Sequence, residues 1–305
     1  MIHVLRTSLR KSLCLCRGFL ILIYCFLLPF FLVSCASNRF SSSNTPFTSD
    51  INWQNLNNIS YAQYFFYENK DFPLRCHCLK INLQDESLQF NIFPDSEKVF
   101  LDSNGSKTAY FKGLSAKEFS KKHPSKIFIN TAPFSGKEGS SSFIAKLTDT
   151  RKISGIHTVN KKELSAPLKK YSALCIKKSE KGYSAKIFKN QTVSEYSGYD
   201  FCLGGFYTIL TDSKKETFSY QTRDSRTAVG LSGDGKTLYI LIAEGERKSQ
   251  STGLSYPECA DIMLALGAKN AMEMDGGGST TLYINGKNML SYSSSRKIAV
   301  FFGFN

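Results

Sequence analysis

A predicted strand that ends at three consecutive glycines constrains this chain more than any other feature. Residues 271–275 (AMEMD) alternate apolar and acidic residues, which is the two-residue period of a β-strand. Glu273 and Asp275 should therefore project from one face and the two methionines from the other. The glycines at 276–278 lack a Cβ, so a turn here can bring backbone N–H groups close to an anion or a sugar oxygen. Glycine runs after strands also occur as plain tight turns, and that alternative stays open.

A capped amphipathic helix is predicted directly before this strand. Ser255 and Glu258 have the Ser-x-x-Glu spacing of a capping box, with Pro257 in the first turn. Four apolar residues follow at helical spacing: Cys259, Ile262, Met263 and Leu266. Gly267 is expected to end the helix. The order of helix, strand and glycine turn places Asp275 at the carboxyl end of a strand.

A similar unit occurs earlier in the chain. The tripeptide Gly-Leu-Ser at 113–115 opens a second Ser-x-x-Glu box, as the same tripeptide does at 253–255. A predicted strand at 126–130 then ends in Asn130, as the later strand ends in Asp275. This pattern predicts a weak internal repeat of two halves around a cleft, although three identical residues can also arise by chance.

Residues 1–34 have the pattern of a lipoprotein signal peptide. Four basic residues, Arg6, Arg10, Lys11 and Arg17, precede an apolar run at 19–33 that is short for a membrane span and contains Pro29. The run ends in Leu-Val-Ser-Cys at 32–35, which resembles a bacterial lipobox. We therefore expect Cys35 to be the lipidated first residue of a protein anchored to a membrane of the cell envelope and facing outside the cytoplasm. An uncleaved N-terminal anchor helix is the alternative.

The composition after the signal peptide predicts a tether and one catalytic domain. Residues 35–58 are rich in Ser, Asn and Thr, which is typical of a flexible tether, and residues 59–305 are long enough for a sizeable core. Removal of the four basic residues of the signal peptide, which has no acidic residue, lowers the formal net charge from +14 to +10. The lysines are spread along the chain without a nucleic-acid motif, so glycans and anionic surfaces are expected partners and nucleic acid is not.

Five cysteines follow Cys35, at positions 76, 78, 175, 202 and 259. Because five is odd, at least one should stay unpaired or pair between chains. The sequence Cys76-His77-Cys78 suggests a metal site, but no second ligand pair follows at useful spacing. Two small apolar residues on one strand face are the favoured interpretation, and we expect neither metal nor cofactor. His77, His123 and His157 are isolated histidines, expected to face solvent or to be hydrogen-bonded in the core.

Between these motifs the chain is predicted to consist of short strands. They include residues 79–83 and 88–93, a meander with strands at 171–176 and 184–188, and a hairpin whose strands at 228–231 and 237–243 flank a turn at 232–235. The returning strand of the hairpin ends at Glu244.

Several of these segments, in this order, resemble the phosphodiester glycosidase family. The likeness is densest in five segments: RTAVG at 226–230, LIAEG at 241–245, GLS at 253–255, LGA at 266–268 and DGGGS at 275–279. It is weaker but in order from about residue 78, and it closes at 296–299. The chain departs from the family's frequent residues at Thr131, Ala132, Glu244 and Glu273, which bears on the identity of the sugar more than on the reaction.

This resemblance implies a fold and a reaction. The implied fold is α+β, with mixed, largely antiparallel curved sheets, packed helices and two related halves around a cleft. The implied reaction is hydrolysis of the bond between a sugar anomeric carbon and a phosphodiester. The leaving phosphate monoester has a second pKa of about 6, so protonation by the enzyme is needed less than for an ordinary glycoside.

The resemblance also suggests roles for individual residues. Asp275 is the first candidate for nucleophile or general base, with Glu273 or Glu244 as its partner, and both stereochemical outcomes stay open. Arg226, with Arg223 and Arg296 in reserve, would clamp the phosphate by bidentate contacts. The remaining candidates are backbone donors of the turn formed by Gly276, Gly277, Gly278 and Ser279, and Asn130 as a ligand of a sugar hydroxyl. Arg226 paired with Asp224, and Glu273 paired with Lys269 or an arginine, are the structural alternatives.

Two other classes of function remain open at this point. One is a glycoside hydrolase that acts on a cell-wall or surface glycan without phosphate. The other is a lipoprotein that binds glycans without catalysis. Turnover of sugar-1-phosphodiesters and of matched alkyl glycosides distinguishes the three classes.

Overall fold

The computed structural model describes residues 51–95, 99–101, 107–136, 149–192, 196–219 and 221–305. The predicted signal peptide, Cys35 and most of the predicted tether lie outside these ranges. The first strand, β1 (Gln54–Leu56), lies at the end of the stretch 35–58 that is predicted to be a tether. Within the described ranges, no helix is both long and apolar enough to span a membrane.

An eight-stranded antiparallel sheet is the largest element of the fold. With strands numbered in chain order, its spatial order is β1, β2 (Ile59–Asn69), β3 (Leu74–Asn82), β18 (Thr237–Ala243), β17 (Arg226–Leu231), β19 (Asn270–Glu273), β15 (Thr208–Thr211) and β16 (Lys214–Lys215). The predicted hairpin is confirmed as β17 and β18. The short strand β19, which leads into the glycine turn, lies inside the sheet between β17 and β15.

Three smaller antiparallel sheets complete the fold. The first has the order β11 (Lys162–Ser165), β10 (His157–Val159), β14 (Phe201–Gly204), β12 (Ala173–Lys178) and β13 (Tyr183–Phe188). The second has the order β21 (Lys287–Asn288), β20 (Leu282–Ile284), β7 (Ile127–Asn130), β22 (Phe301–Phe304) and β4 (Phe90–Phe93). The third has the order β5 (Val99–Leu101), β6 (Lys107–Lys112), β9 (Thr150–Ile153) and β8 (Phe134–Ser135).

The α-helices of the described chain are two short ones, α1 (Ala116–Lys122) and α2 (Tyr256–Leu266). Both predicted capping boxes are present: the carboxylates of Glu118 and Glu258 each accept the N–H of the serine three residues earlier, at 2.8 Å. Gly267 ends α2 in the left-handed conformation, with φ 101°.

The fold is therefore mainly β, and the prediction of an α+β fold with packed helices is wrong. Capping boxes mark where a helix begins, but they carry no information on how much of the chain is helical. In the described ranges strands far outnumber helices, and some strands are joined by tight turns, such as Asn160-Lys161 and Asp212-Ser213, where both residues have positive φ. Such two-residue turns connect antiparallel strands directly, without helical crossovers. The predicted pair of related halves stays a prediction; the two strands compared in it, β7 and β19, lie in different sheets.

Packing in the hydrophobic core determines which face of β19 points inward. Met272 and Met274 are buried in the main hydrophobic cluster, as the alternation predicts, so Glu273 lies on the other face of β19. The same cluster contains Phe119 of α1, whose ring stacks on Phe301 at 4.5 Å and meets Phe128 of β7 at 4.8 Å. This packing fixes β7 and so positions Asn130 at its end.

Candidate active site

Asn130 joins the ends of two strands that belong to different sheets. Its side chain is fully buried. Its Nδ2 donates to the main-chain carbonyl of Asp275 at 2.6 Å, and its Oδ1 accepts from Thr227 Oγ1 at 2.8 Å and from the Thr281 N–H at 3.0 Å. In return, the Asp275 N–H donates to the Thr131 carbonyl at 2.7 Å. Because both polar atoms of the amide make hydrogen bonds within the protein, Asn130 holds Asp275 in place.

Asp275 is the half-buried carboxyl at the end of β19. Burial raises its pKa from 3.8 to about 6, although the Ser279 hydroxyl, the Arg296 guanidinium and the Gly276 N–H each favour the ionised form. A carboxyl group with this pKa is mostly ionised at neutral pH and still basic enough to accept a proton. This combination of partial access and raised pKa is typical of a general base or a nucleophile.

The glycine turn supports Asp275 by close backbone packing. Gly277–Ser279 forms one turn of 3-10 helix, and the Gly277 N–H donates to the Ser225 carbonyl at 2.8 Å. A Cβ on Gly276 would lie 2.7 Å from that carbonyl oxygen, and a Cβ on Gly245 would lie 2.4 Å from the Ser225 nitrogen. These motif glycines thus let three backbone segments meet around Ser225. The Gly277 N–H is used for this packing and is not available to a substrate.

Glu273 lies on the face of β19 that is covered by α2. It is fully buried, and neither carboxylate oxygen has a hydrogen-bond partner among the nitrogen and oxygen donors of the described residues. Burial raises its pKa from 4.5 to about 7, opposed by the Arg226 guanidinium and the thiol of Cys259. The surroundings of Glu273 therefore differ from those of Asp275, although the two residues are two apart in the chain.

Two of the three candidate arginines are held by structural contacts. Arg226 is buried and donates from Nε to the Leu254 carbonyl at 2.9 Å and from Nη2 to the Thr222 carbonyl at 2.8 Å, and its guanidinium lies 4.6 Å from the centre of the Tyr256 ring. Arg223 forms an ion pair with Glu258, the capping residue of α2. Both arginines therefore fasten the start of α2 to the large sheet.

Arg296 is the exposed arginine beside Asp275. It forms no ion pair with the residues that the structure describes, and its guanidinium lies 5.4 Å from the centre of the Phe134 ring. A Cβ on Gly278 would lie 3.4 Å from its Nη1, so the guanidinium borders the glycine turn. The positive charge of Arg296 lowers the pKa of Asp275. Of the three predicted phosphate ligands, Arg296 is the one that is open to a substrate.

Glu244 is a buried carboxylate inside a hydrogen-bond network. It accepts from His77 Nε2 at 2.9 Å, from Arg75 Nε at 3.2 Å, and from both the N–H and the hydroxyl of Ser291. Burial opposes its ionisation, but the hydrogen bonds from His77 and Ser291 outweigh burial and hold its pKa at about 2. Tyr64 Oη contacts the other nitrogen of the His77 ring at 2.7 Å. His77 is thus hydrogen-bonded in the core, as predicted, and Glu244 stays ionised at every physiological pH.

His157 and the cysteines also lie in the core. His157 Nε2 donates to the Pro94 carbonyl at 2.7 Å, and burial lowers its pKa from 6.5 to about 4. All five cysteines after Cys35 are buried thiols, and Cys76 and Cys78 both lie in β3.

Sequence reasoning missed a group of polar residues around the glycine turn. The Ser225 hydroxyl accepts from Tyr292 Oη at 3.3 Å and donates to Glu246 at 3.4 Å. Asp224 lies next to them, with its Oδ2 3.6 Å from the position of a Cβ on Gly277. Glu246 directly follows the motif at 241–245, and Asp224 lies two residues before the motif at 226–230. Their position next to these motifs in the sequence could have indicated that they lie near the site.

Comparison with known proteins shows to which family the chain belongs. The family model of the phosphodiester glycosidases matches residues 128–305. This range includes Asn130, the three candidate carboxyl residues and the three candidate arginines. The chain belongs to the phosphodiester glycosidase family. No curated protein sequence matches it.

Solved structures show the same fold for this chain at low sequence identity. A hypothetical protein from Synechocystis aligns with a TM-score of 0.57 and 11% identity, over 84% of this chain and 64% of that chain. The catalytic domain of zebrafish N-acetylglucosamine-1-phosphodiester alpha-N-acetylglucosaminidase, auto-inhibited by its pro-peptide, aligns with a TM-score of 0.55 and 14% identity, over 82% of this chain and 85% of that chain. The chain therefore spans less than two thirds of the Synechocystis protein.

The segment that precedes the family match also contributes to the site. Strand β3 lies before residue 128, yet it provides Arg75 and His77 to the network around Glu244. Residues 76–82 of the strand pair with β18, and Glu244 directly follows β18. The hydrogen-bond network around Glu244 thus extends beyond the residues that the family model matches.

Proposed function

We propose that this phosphodiester glycosidase hydrolyses sugar-1-phosphodiesters, with Asp275 acting at the anomeric carbon. The observation that supports this proposal is the half-buried Asp275, with its pKa raised to about 6, beside the exposed Arg296. In the reaction, the bond between the anomeric carbon and the phosphate oxygen breaks, and water supplies the hydroxyl of the released sugar and a proton. The other product is a phosphate monoester.

Arg296 is the proposed ligand of the phosphate, in place of Arg226. A phosphodiester carries one negative charge, and the leaving monoester gains a second with a pKa of about 6. A guanidinium beside the leaving group stabilises this developing charge through paired N–H donors. Arg226 and Arg223 use their N–H groups on carbonyls and on Glu258, so they serve the fold of the site.

Glu273 and Glu244 are proposed as positioning residues and not as partners of Asp275 in catalysis. Glu273 is sealed beneath α2, and Glu244 is held in the ionised state by donors from three residues. Little acid assistance is needed for a phosphate leaving group, so the proposal requires no second acid. In this scheme Asp275 acts as base or nucleophile without a proton-donating carboxyl.

A substrate panel tests the proposed reaction. Wild type, Asp275→Asn and Arg296→Gln are each assayed for sugar release from a sugar-1-phosphodiester and from the matched alkyl glycoside. The proposal requires turnover of the phosphodiester that both substitutions reduce, with a much larger Arg296 effect on the phosphodiester than on the alkyl glycoside. Equal turnover of both substrates would indicate a glycoside hydrolase without phosphate preference. Binding of glycan without any turnover would indicate a glycan-binding lipoprotein.

The proposed setting of this reaction is the cell envelope. The signal peptide pattern and the lipobox-like cysteine at position 35 support an exported, lipid-anchored enzyme. A membrane-anchored enzyme outside the cytoplasm would meet exported or surface glycans that carry sugar phosphates.

A further inference from the structure

A polar cavity lies on the side of the large sheet where Glu244 is buried. It has a volume of about 380 Å³ and is lined mainly by Lys70, Arg75, Arg247, Ser249, Gln250 and Ser291. Cavities of roughly 300 to 1,000 Å³ are typical of small-molecule sites. The lining differs from that of an ordinary apolar pocket because nearly every residue offers a hydrogen-bond donor. It includes neither Asp275 nor Arg296.

The charges around this cavity favour an anion. Three cations line it, and the carboxylate of Glu68 is paired with one of them, Arg75. The side chains of Lys70 and Arg247 are exposed and form no ion pair within the part of the chain that the structure describes. Two unneutralised cations therefore converge on one concave surface.

A buried network fixes the floor of the cavity. Arg75 and Ser291 both line it, and both bind the ionised carboxylate of Glu244, which is 1% exposed. Burying a charge is unfavourable unless donors surround it. His77 completes the set of donors and is itself held by Tyr64. Glu244 therefore acts as a positioning residue, since it orients the guanidinium of Arg75 and the main chain at Ser291 before any ligand arrives.

We propose that this cavity binds an anionic saccharide group, a sugar that carries a phosphate or a carboxylate. Lys70, Arg75 and Arg247 contact the anion, while the hydroxyl of Ser249 and the amide of Gln250 are available to sugar hydroxyls. Asp275 does not line this cavity, so the proposed binding does not require the hydrolytic reaction proposed above. It gives the enzyme a second contact with a charged glycan.

Calorimetric titration of the full chain with glucose 6-phosphate, glucose and inorganic phosphate tests the proposal. Glucose 6-phosphate should bind more tightly than either of the other two, and its affinity should fall as salt increases. In the double variant Lys70→Gln/Arg247→Gln, the dissociation constant should rise at least tenfold, because two charge-assisted contacts are lost. Both residues are exposed, so the melting temperature should not change.

Two matched controls locate the binding. The double variant Lys177→Gln/Lys178→Gln removes the same charge from exposed positions of β12 and should bind like wild type. Asp275→Asn should also retain binding, even if its turnover is lost. Binding that survives Lys70→Gln/Arg247→Gln, or that disappears in Asp275→Asn, would overturn the proposal. Inorganic phosphate binding as tightly as glucose 6-phosphate would overturn its saccharide part, and glucose binding as tightly would overturn its anionic part.

Discussion

The side-chain amide of Asn130 donates to the main-chain carbonyl of Asp275 at 2.6 Å, across a separation of 145 residues. This bond joins the end of β7 in one sheet to Asp275, two residues after the end of β19 in another. The position of the candidate catalytic carboxyl therefore depends on a buried residue of a different sheet. Asn130 therefore couples the stability of the fold to the geometry of the site.

Asn130→Ala is expected to destabilise the protein by about 2 to 4 kcal/mol, because three buried polar groups lose their partner. These groups are the Asp275 carbonyl, the Thr227 hydroxyl and the Thr281 N–H. Denaturant unfolding measures the change. Asn190→Ala, at an exposed position, is the matched control and should leave the free energy of unfolding within about 0.5 kcal/mol of wild type. A similarly small effect for Asn130→Ala would show that the three hydrogen bonds of the Asn130 side chain do not stabilise the fold.

The pH profile of activity should follow the ionisation of Asp275. A base or nucleophile must be ionised, so kcat/KM should rise with pH up to about 6, the pKa of Asp275, and level off above it. Asp275→Asn should lower kcat at least ~100-fold at pH 7, within the range of general acid–base catalysis.

Arg296→Gln should shift the pH profile of activity to higher pH. The guanidinium favours the ionised form of Asp275, so its removal should raise the pKa and move the rising limb to higher pH. Kinetic measurements from pH 4.5 to pH 8.5 on one sugar-1-phosphodiester record both the height and the position of the limb. An unmoved limb in Arg296→Gln would remove Arg296 from the neighbourhood of the reacting carboxyl.

Glu273→Gln is expected to stabilise the protein at high pH. Burial raises the pKa of Glu273 from 4.5 to about 7. The contribution of Glu273 to the free energy of unfolding is therefore fully present below pH 4.5. It falls by about 3 kcal/mol as the pH rises through 7, because the buried carboxyl must then ionise. The glutamine variant avoids this loss, so its melting temperature should exceed that of wild type at pH 8.5 and differ little at pH 5.

Glu244→Gln provides a contrast of opposite sign. Hydrogen bonds hold the pKa of Glu244 at about 2, below its ordinary 4.5. Its contribution to stability is therefore present above pH 4.5 and disappears as the pH falls through 2. This variant should be destabilised at pH 7 and approach wild type in acid. The same pH dependence in both variants would contradict the different environments assigned to the two carboxyls.

Signals within a few residues of each other predicted local structure well. Both capping boxes, the hairpin β17–β18 and the burial of Met272 and Met274 depend on contacts between near neighbours or on a simple period. The order of the motifs identified the family. The strand alternation also separated Glu273 from the methionines correctly.

Contacts between distant residues could not be predicted in this way. The ion pair of Arg223 with Glu258 spans 35 residues, and the bond from Arg75 to Glu244 spans 169. The first arises from the packing of α2 against the chain that precedes β17, and the second from the order of β3 and β18 in the sheet; the periodicity of a single element determines neither. The same reason explains why the proportion of helix was overestimated, since two clear helix starts say nothing about the strands between them.

Cys35→Ser is expected to release the protein from membranes, if residues 1–34 are a lipoprotein signal peptide. A lipidated cysteine is anchored through its acyl chains, and serine cannot form that thioether. Membrane fractionation and mass spectrometry of the N-terminus measure the outcome. A variant that stays with the membrane and keeps residues 1–34 would show that the apolar run is a retained anchor.

Arg226→Lys should lower stability, whereas Arg296→Lys should lower activity alone. Arg226 donates from two nitrogens to the buried carbonyls of Leu254 and Thr222, and a lysine ammonium cannot reproduce this fork. The loss is expected to cost about 1 to 3 kcal/mol of unfolding free energy, because a buried carbonyl is left without a donor.

Arg296 is exposed and forms no ion pair with a described residue, so its replacement by lysine should leave the melting temperature unchanged. Its activity on a sugar-1-phosphodiester should still fall, since a point charge replaces paired donors to the phosphate. Melting curves and kinetics on the two variants, prepared side by side, measure both effects. An Arg226→Lys variant that loses activity at an unchanged melting temperature would return Arg226 to the role of phosphate ligand and leave Arg296 without one.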